Sequence, residues 1–157
     1  MQDDEYFMKQ ALKEAMKALE ENEVPIGAVV VMQQKVIARG YNQVERLNDA
    51  TAHAEMIALT AAFNYLGSKY LPEASLYVTI EPCVMCCGAL YWSKTGRVVF
   101  GARDPKHGGL SKWHANTKQP EMAGNSGSLL HPKAEVVSGI CEKESLQLLQ
   151  NFFKKKR

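Results

Sequence analysis

No apolar run in this 157-residue chain approaches the roughly 20 residues needed to cross a bilayer. The N-terminus, MQDDEYF, is acidic where a secretory signal would be basic. These two absences predict a soluble, cytoplasmic protein. No internal repeat and no interdomain linker is visible, so one domain over residues 1–157 is expected, and a 46% hydrophobic composition is enough for its core. Cysteine is scarce as well. Three of the four cysteines fall in EPCVMCCGAL (81–90), and the fourth is Cys141. A cluster of this kind cannot staple distant loops, which excludes a disulfide framework and leaves reduced thiols or a metal.

Periodicity outlines the elements. Met8, Leu12, Ala15 and Leu19 recur at helical spacing behind Asp3 and Asp4, which suit a helix start. VPIGAVVV (24–31) and KVIARGY (35–41) are β-branched runs around a polar MQQ, a hairpin pattern. A second helix is expected over 52–66, stopped by Gly67. ASLYVTI (74–80) reads as a buried strand, 84–93 as a helix and RVVFGA (97–102) as a strand. After an irregular stretch come AEVVSGI and a final helix from about Glu142. The expected fold class is α/β, a sheet of about five strands covered by helices.

Pro82 suits the first turn of a helix, so the third helix opens at the cysteines. Cys83 and Cys86, three apart, share a face there and can meet one ion, and the positive end of the helix dipole favours their thiolates. Cys87 lies about 100° further round and reads as a small packed residue. A third ligand has to come from elsewhere, and TAHAEM (51–56) offers His53, with Glu55 two residues on. On a helix flank a two-residue offset separates side chains, whereas at a helix N-terminus they lean back and can converge. Two helix starts would then face each other at the strand ends, where open α/β sheets carry their crevices. Three protein ligands leave a fourth tetrahedral position for water, the mark of catalytic zinc, with Glu55 placed to move protons. That donor set suits the hydrolytic loss of an amino group from a heteroaromatic ring. A Cys-x-x-Cys alone equally suits a redox pair or a four-ligand structural zinc, and the upstream His-x-Glu favours the catalytic reading.

TAHAEM together with LYVTIEPCVMCCGAL resembles the zinc-dependent cytidine deaminase superfamily. EVPIGAVVV, ARGYN, GRVVFGARDPK and LLQNFFKKKR are similar to its bacterial tRNA-specific adenosine deaminase branch. The resemblance implies a three-layer α/β/α cytidine deaminase-like fold with a mixed sheet, one zinc ion per chain on His53, Cys83 and Cys86, and Glu55 as proton shuttle. It also matches Asn42 to a residue that hydrogen-bonds a flipped base, and Pro25 and Ile26 to pocket walls. A polar turn is the alternative for Asn42, and ordinary strand or core positions are the alternatives for the other two. The family's homodimer would find possible contacts in Tyr91 and Trp92.

A formal net charge of +2 hides two basic blocks, net +5 over 94–118 and net +4 over 151–157. Basic residues neutralise phosphates and aromatics stack on unpaired bases. With the resemblance, this assigns Arg103, Asp104, Lys106, Phe152 and Phe153 to substrate contact and a tRNA anticodon stem-loop as partner. The segment LSKWHANTKQPEMAGNSGSLLHP departs from the family by its length and carries Trp113, His114 and Asn116. Cys87 departs too, where a small residue such as Ala is usual. Three functions follow: deamination of adenosine to inosine at a tRNA wobble position, deamination of a free base or nucleoside, or a non-catalytic zinc-stabilised RNA-binding module. Glu55 argues against the third, because a structural zinc needs no adjacent carboxylate.

Overall fold

A computed structural model of the protein describes residues 1–111 and 129–156. Helix α1 (Asp4–Glu20) starts where the Asp3 carboxylate accepts a hydrogen bond from the Tyr6 amide at 2.9 Å. Its buried stripe runs through Phe7, Met8, Ala11, Ala15 and Ala18, while Leu12 and Leu19 flank it. Alanines at the centre let the helix axis approach the sheet closely. Strands β1 (Gly27–Met32) and β2 (Lys35–Tyr41) form the expected antiparallel hairpin, turned at Gln33 and Gln34, both with positive φ. The first strand begins at Gly27 rather than Val24: Pro25 has no amide hydrogen, and the Ile26 amide bonds the Val24 carbonyl at 2.8 Å, turning the chain before the ladder starts.

A four-residue helix, α2 (Val44–Leu47), follows. Helix α3 (Ala54–Leu66) starts two residues later than periodicity predicts, because His53 is extended and serves as its N-cap, and it ends at Gly67 in the left-handed region. Then come β3 (Ser75–Ile80), α4 (Val84–Trp92) and β4 (Arg97–Ala102). The last strand, β5, is only Glu135–Val137, shorter than AEVVSGI suggests, and α5 (Glu142–Lys155) closes the described chain. The extended segment singled out in the sequence, with Lys112, Trp113, His114, Asn116 and Lys118, lies largely outside the described residues.

The sheet order is β2-β1-β3-β4-β5, with β1 antiparallel to both neighbours and β3, β4 and β5 parallel. Alternation divides it into two faces. Ala28, Val30, Leu76, Val78, Val98 and Phe100 pack under α3 and α4, through Ala54, Ala58, Leu59 and Leu90. Val29, Val31, Tyr77 and Val99 pack under Phe7, Met8 and Ala11 of α1. This is the expected three-layer α/β/α arrangement. Because β2, β3 and β4 run the same way, the segments that leave them collect at one end of the sheet. Gly40 sets the depth of α3 there, since a Cβ on it would overlap the Ala54 carbonyl.

Near the start of α1 a clamp ties the helix to the sheet. Arg97 forms a bidentate pair with Asp4 at 2.6 and 2.8 Å, and the Tyr77 hydroxyl donates to the same carboxylate at 2.6 Å. The Arg97 hydrogen bond holds the Asp4 carboxyl below its ordinary value of 3.8, against the opposing effect of burial. A depressed folded pKa contributes stability above the unfolded value, and that stability is lost as pH falls through the folded one. Asp4→Asn is therefore expected to lower stability by about 1 kcal/mol at pH 7, after allowance for partial solvent screening. The difference should be smaller at pH 3, below the ordinary carboxyl value, than at pH 7. Denaturant titrations at the two pH values measure it, and an equal loss at both would show that the charge contributes nothing.

Candidate metal centre and substrate cleft

Cys83 and His53 are both helix N-caps with extended backbones, at φ −72°, ψ 175° and φ −73°, ψ 155°. That conformation points each side chain back over its helix start, so the ends of α3 and α4 share one space. His53 Nδ1 lies 3.6 Å from the Sγ of Cys83 and 3.6 Å from the Sγ of Cys86. Zn–N near 2.05 Å and Zn–S near 2.3 Å, at the tetrahedral angle, give an N···S edge of about 3.6 Å. The three donor atoms lie within 4.8 Å of one another and form one face of a zinc tetrahedron.

The thiols show the same fit chemically. A hydrogen bond from Cys86, with help from His53, pulls Cys83 down to about 4, and Cys86 is pushed up in return. Two sulfurs this close share one proton unless a divalent cation displaces it. Cys87 takes no part: it is buried, its thiol points to the Pro82 carbonyl, and burial pushes it up to about 12. It fills the space beneath Gly109, where a Cβ would come within 2.8 Å of its sulfur. Glu55, 4% exposed in the first turn of α3, is pushed up to about 7 chiefly by burial.

A cleft of about 1080 Å³ opens from this centre. Of the residues assigned to the substrate, Ile26, Asn42, Arg103, Asp104, Lys106 and Phe153 line it together with His53, Glu55 and Cys83. Pro25 and Phe152 do not. Pro25 is buried behind Ile26. Phe152 is 5% exposed, with the Lys156 ammonium 4.8 Å from its ring centroid. Successive helical residues diverge by about 100°, so of the two phenylalanines only Phe153 reaches the cleft. Asn42 lines the cleft, and its amide donates to Val24 O and accepts from the Val44 amide, each at 3.3 Å, the local bonding expected of a polar turn.

Two buried carboxylates of the cleft escaped sequence reasoning. Glu23 accepts hydrogen bonds from the Glu45 and Arg46 amides at 3.0 and 2.7 Å and holds the start of α2. Glu81 accepts from the Asp104 amide at 3.1 Å and from the Ser111 amide and hydroxyl at 2.6 Å each. For Glu81 the available signal was its place beside Pro82 and Cys83. Glu23 sits in an acidic stretch and had none. Helix α2 is one turn long and leaves no periodicity to read.

The zinc-binding region of the cytidine and deoxycytidylate deaminases matches residues 1–102. The tRNA-specific adenosine deaminase of Bacillus subtilis (strain 168) is 46% identical over 157 residues, 100% of this chain and 92% of that protein. A solved structure from work on A-to-I editing by tRNA:A34 deaminases at the wobble position of transfer RNA is similar at a TM-score of 0.79 and 43% identity, over 92% of this chain and 99% of that one. Guanine deaminase from Bacillus subtilis is similar at a TM-score of 0.62 and 35% identity, over 73% and 71% of the two chains.

Replacing His53, Cys83 or Cys86 with Ala is expected to abolish stoichiometric zinc binding, whereas Cys87→Ala should keep about one ion per chain by metal analysis. Glu55→Ala should also keep zinc, yet lose turnover by at least about a hundredfold, because it removes a proton carrier and no ligand. Zinc loss from Cys87→Ala would contradict the ligand set.

Proposed function

Because the chain belongs to the zinc-dependent cytidine and deoxycytidylate deaminase family, we propose that it hydrolyses adenosine to inosine at the wobble position of a tRNA anticodon. His53, Cys83 and Cys86 would hold the zinc, which when bound would lower the pKa of water to roughly 7 and so supply a nucleophile at neutral pH. Glu55, buried beside these ligands, takes a proton from the attacking water and passes it to the ring nitrogen next to the attacked carbon, then carries the second proton from the newly added hydroxyl to the departing amine, so that water enters and ammonia leaves. Asn42 and Ile26 flank the base, and enclosure by Ile80 and Val44 limits competing water.

One observation carries the choice of a polynucleotide. The cleft runs without interruption from Glu55 past Arg103–His107 to Leu149, Phe153 and Lys154 of α5. Its volume of about 1080 Å³ is at the upper end of the roughly 300–1000 Å³ of sites for whole drug-sized ligands, which suits a flipped nucleoside. Its outer wall carries cations and an aromatic ring, the groups that hold phosphates and stack on unpaired bases.

The wobble reading includes a homodimer through α4. Val84, Tyr91 and Trp92 are exposed, Trp92 at 77%, and with Gly88 between them they form a stripe at helical spacing. Gly88 meets no atom within 4 Å of where a Cβ would stand, so no described residue covers the stripe at that position. Sedimentation should give a mass of two chains for the wild type and of one for Trp92→Lys. A wild-type monomer would refute the dimer.

Removing residues 154–157 deletes four positive charges. With an anticodon stem-loop as substrate, kcat/KM should fall and its dependence on salt should become shallower. Intact and truncated enzymes would be compared on the stem-loop and on free guanine, cytosine and adenosine at two salt concentrations, with inosine and ammonia as readouts. Turnover of a free base but not of the stem-loop would replace this reading with the free-base alternative.

A further inference from the structure

Glu81 is a buried carboxylate that the proton transfers do not use. Among the described residues, the three hydrogen bonds to its carboxylate come from one stretch of chain, residues 104–111: the Asp104 amide, the Ser111 amide and the Ser111 hydroxyl. Gly108 passes so close that a Cβ on it would overlap the carboxylate. At the next two residues, Pro82 and Cys83, the same stretch is fastened again, by the Gly109 amide on the Pro82 carbonyl at 2.8 Å and by a bridge between Cys83 and Gly108. Within it, Asp104 accepts from the Lys106 and His107 amides at 3.2 and 3.0 Å and closes a tight turn. The exposed cations of that turn, Arg103 and Lys106, line the cleft.

We infer that Glu81 is a positioning residue for substrate binding, a strut that holds the 103–107 turn at the cleft mouth in fixed relation to Cys83. The physical reason lies in its partners. A carboxylate removed from water requires donors around it, and here every donor belongs to the cleft rim, so its desolvation is offset only while the rim stays in place. The neutral amide of Gln has the same shape but turns an NH2 group toward donors. That weakens the rim's attachment without opening a cavity. The proposal rests on the wobble-adenosine reading, because Arg103 and Lys106 matter to a phosphate-bearing substrate.

The test compares wild type, Glu81→Gln and Gly108→Ala on an anticodon stem-loop. Both variants should raise KM by about tenfold, leave kcat within about threefold, keep one zinc per chain and show a shallower salt dependence of KM. Amides of residues 104 and 111 should exchange hydrogen faster in Glu81→Gln. The double variant should be no worse than the more affected single one, since both act on the same attachment. A fall in kcat with KM unchanged, or loss of zinc, would place Glu81 in the service of the metal centre and overturn the proposal. Unaltered KM would overturn it as well. If wild type fails to process the stem-loop, the substrate reading fails by itself, and hydrogen exchange then decides on the strut: unchanged protection at 104 and 111 sinks it.

Discussion

Two helix starts must bring one imidazole to 3.6 Å from each of two thiols, and most of the fold can be understood as meeting that requirement. Neither helix carries the whole donor set. Cys83 and Cys86 lie one turn apart on α4, whereas His53 caps α3, and the two helices reach the same end of the sheet because β2 and β3 run in one direction. A metal bond tolerates little error in distance. The depth of α3 over β2 is accordingly set by backbone contact at Gly40, and that of α1 on the opposite face by Gly27, where a Cβ would overlap the Ala11 carbonyl.

Around this centre the cleft is shaped by irregular backbone, and buried carboxylates hold that backbone. Glu23 grips the amides that open α2, and Glu81 grips the rim between Asp104 and Ser111. Exposed loops usually satisfy their amides with water and move accordingly. Here the amides are tied to acids whose own burial makes release costly. The walls thereby acquire some of the rigidity that the strands provide elsewhere, at the places where a base and its flanking phosphates would enter.

The chemistry was legible because its signals are local. His-x-Glu and Pro-Cys-x-x-Cys each occupy a few residues, and spacing alone explains why Cys86 joins Cys83 while Cys87 packs beneath Gly109. Strand and helix identities were legible too, since each long element carries its own period. Less was visible where a short segment takes its structure from distant partners. Helix α2 depends on Glu23, about twenty residues away, and the three-residue β5 owes its existence to pairing with β4. Phe152 and Phe153 are indistinguishable as neighbours in a string, and packing sends one inward and the other to the cleft.

Local patterns in the chain thus specified the donor types, the helix starts that present them, and the alternation that gives the sheet two covered faces, because each depends on a few adjacent residues and a fixed period. The distances at which His53 meets the two thiols, the assembly of cleft walls from six separate segments, and the roles of Glu23 and Glu81 came only with the folded chain. These depend on distances between residues about 20 to 100 positions apart. Such distances follow from strand direction and close helix–sheet contact, which no short window of sequence contains.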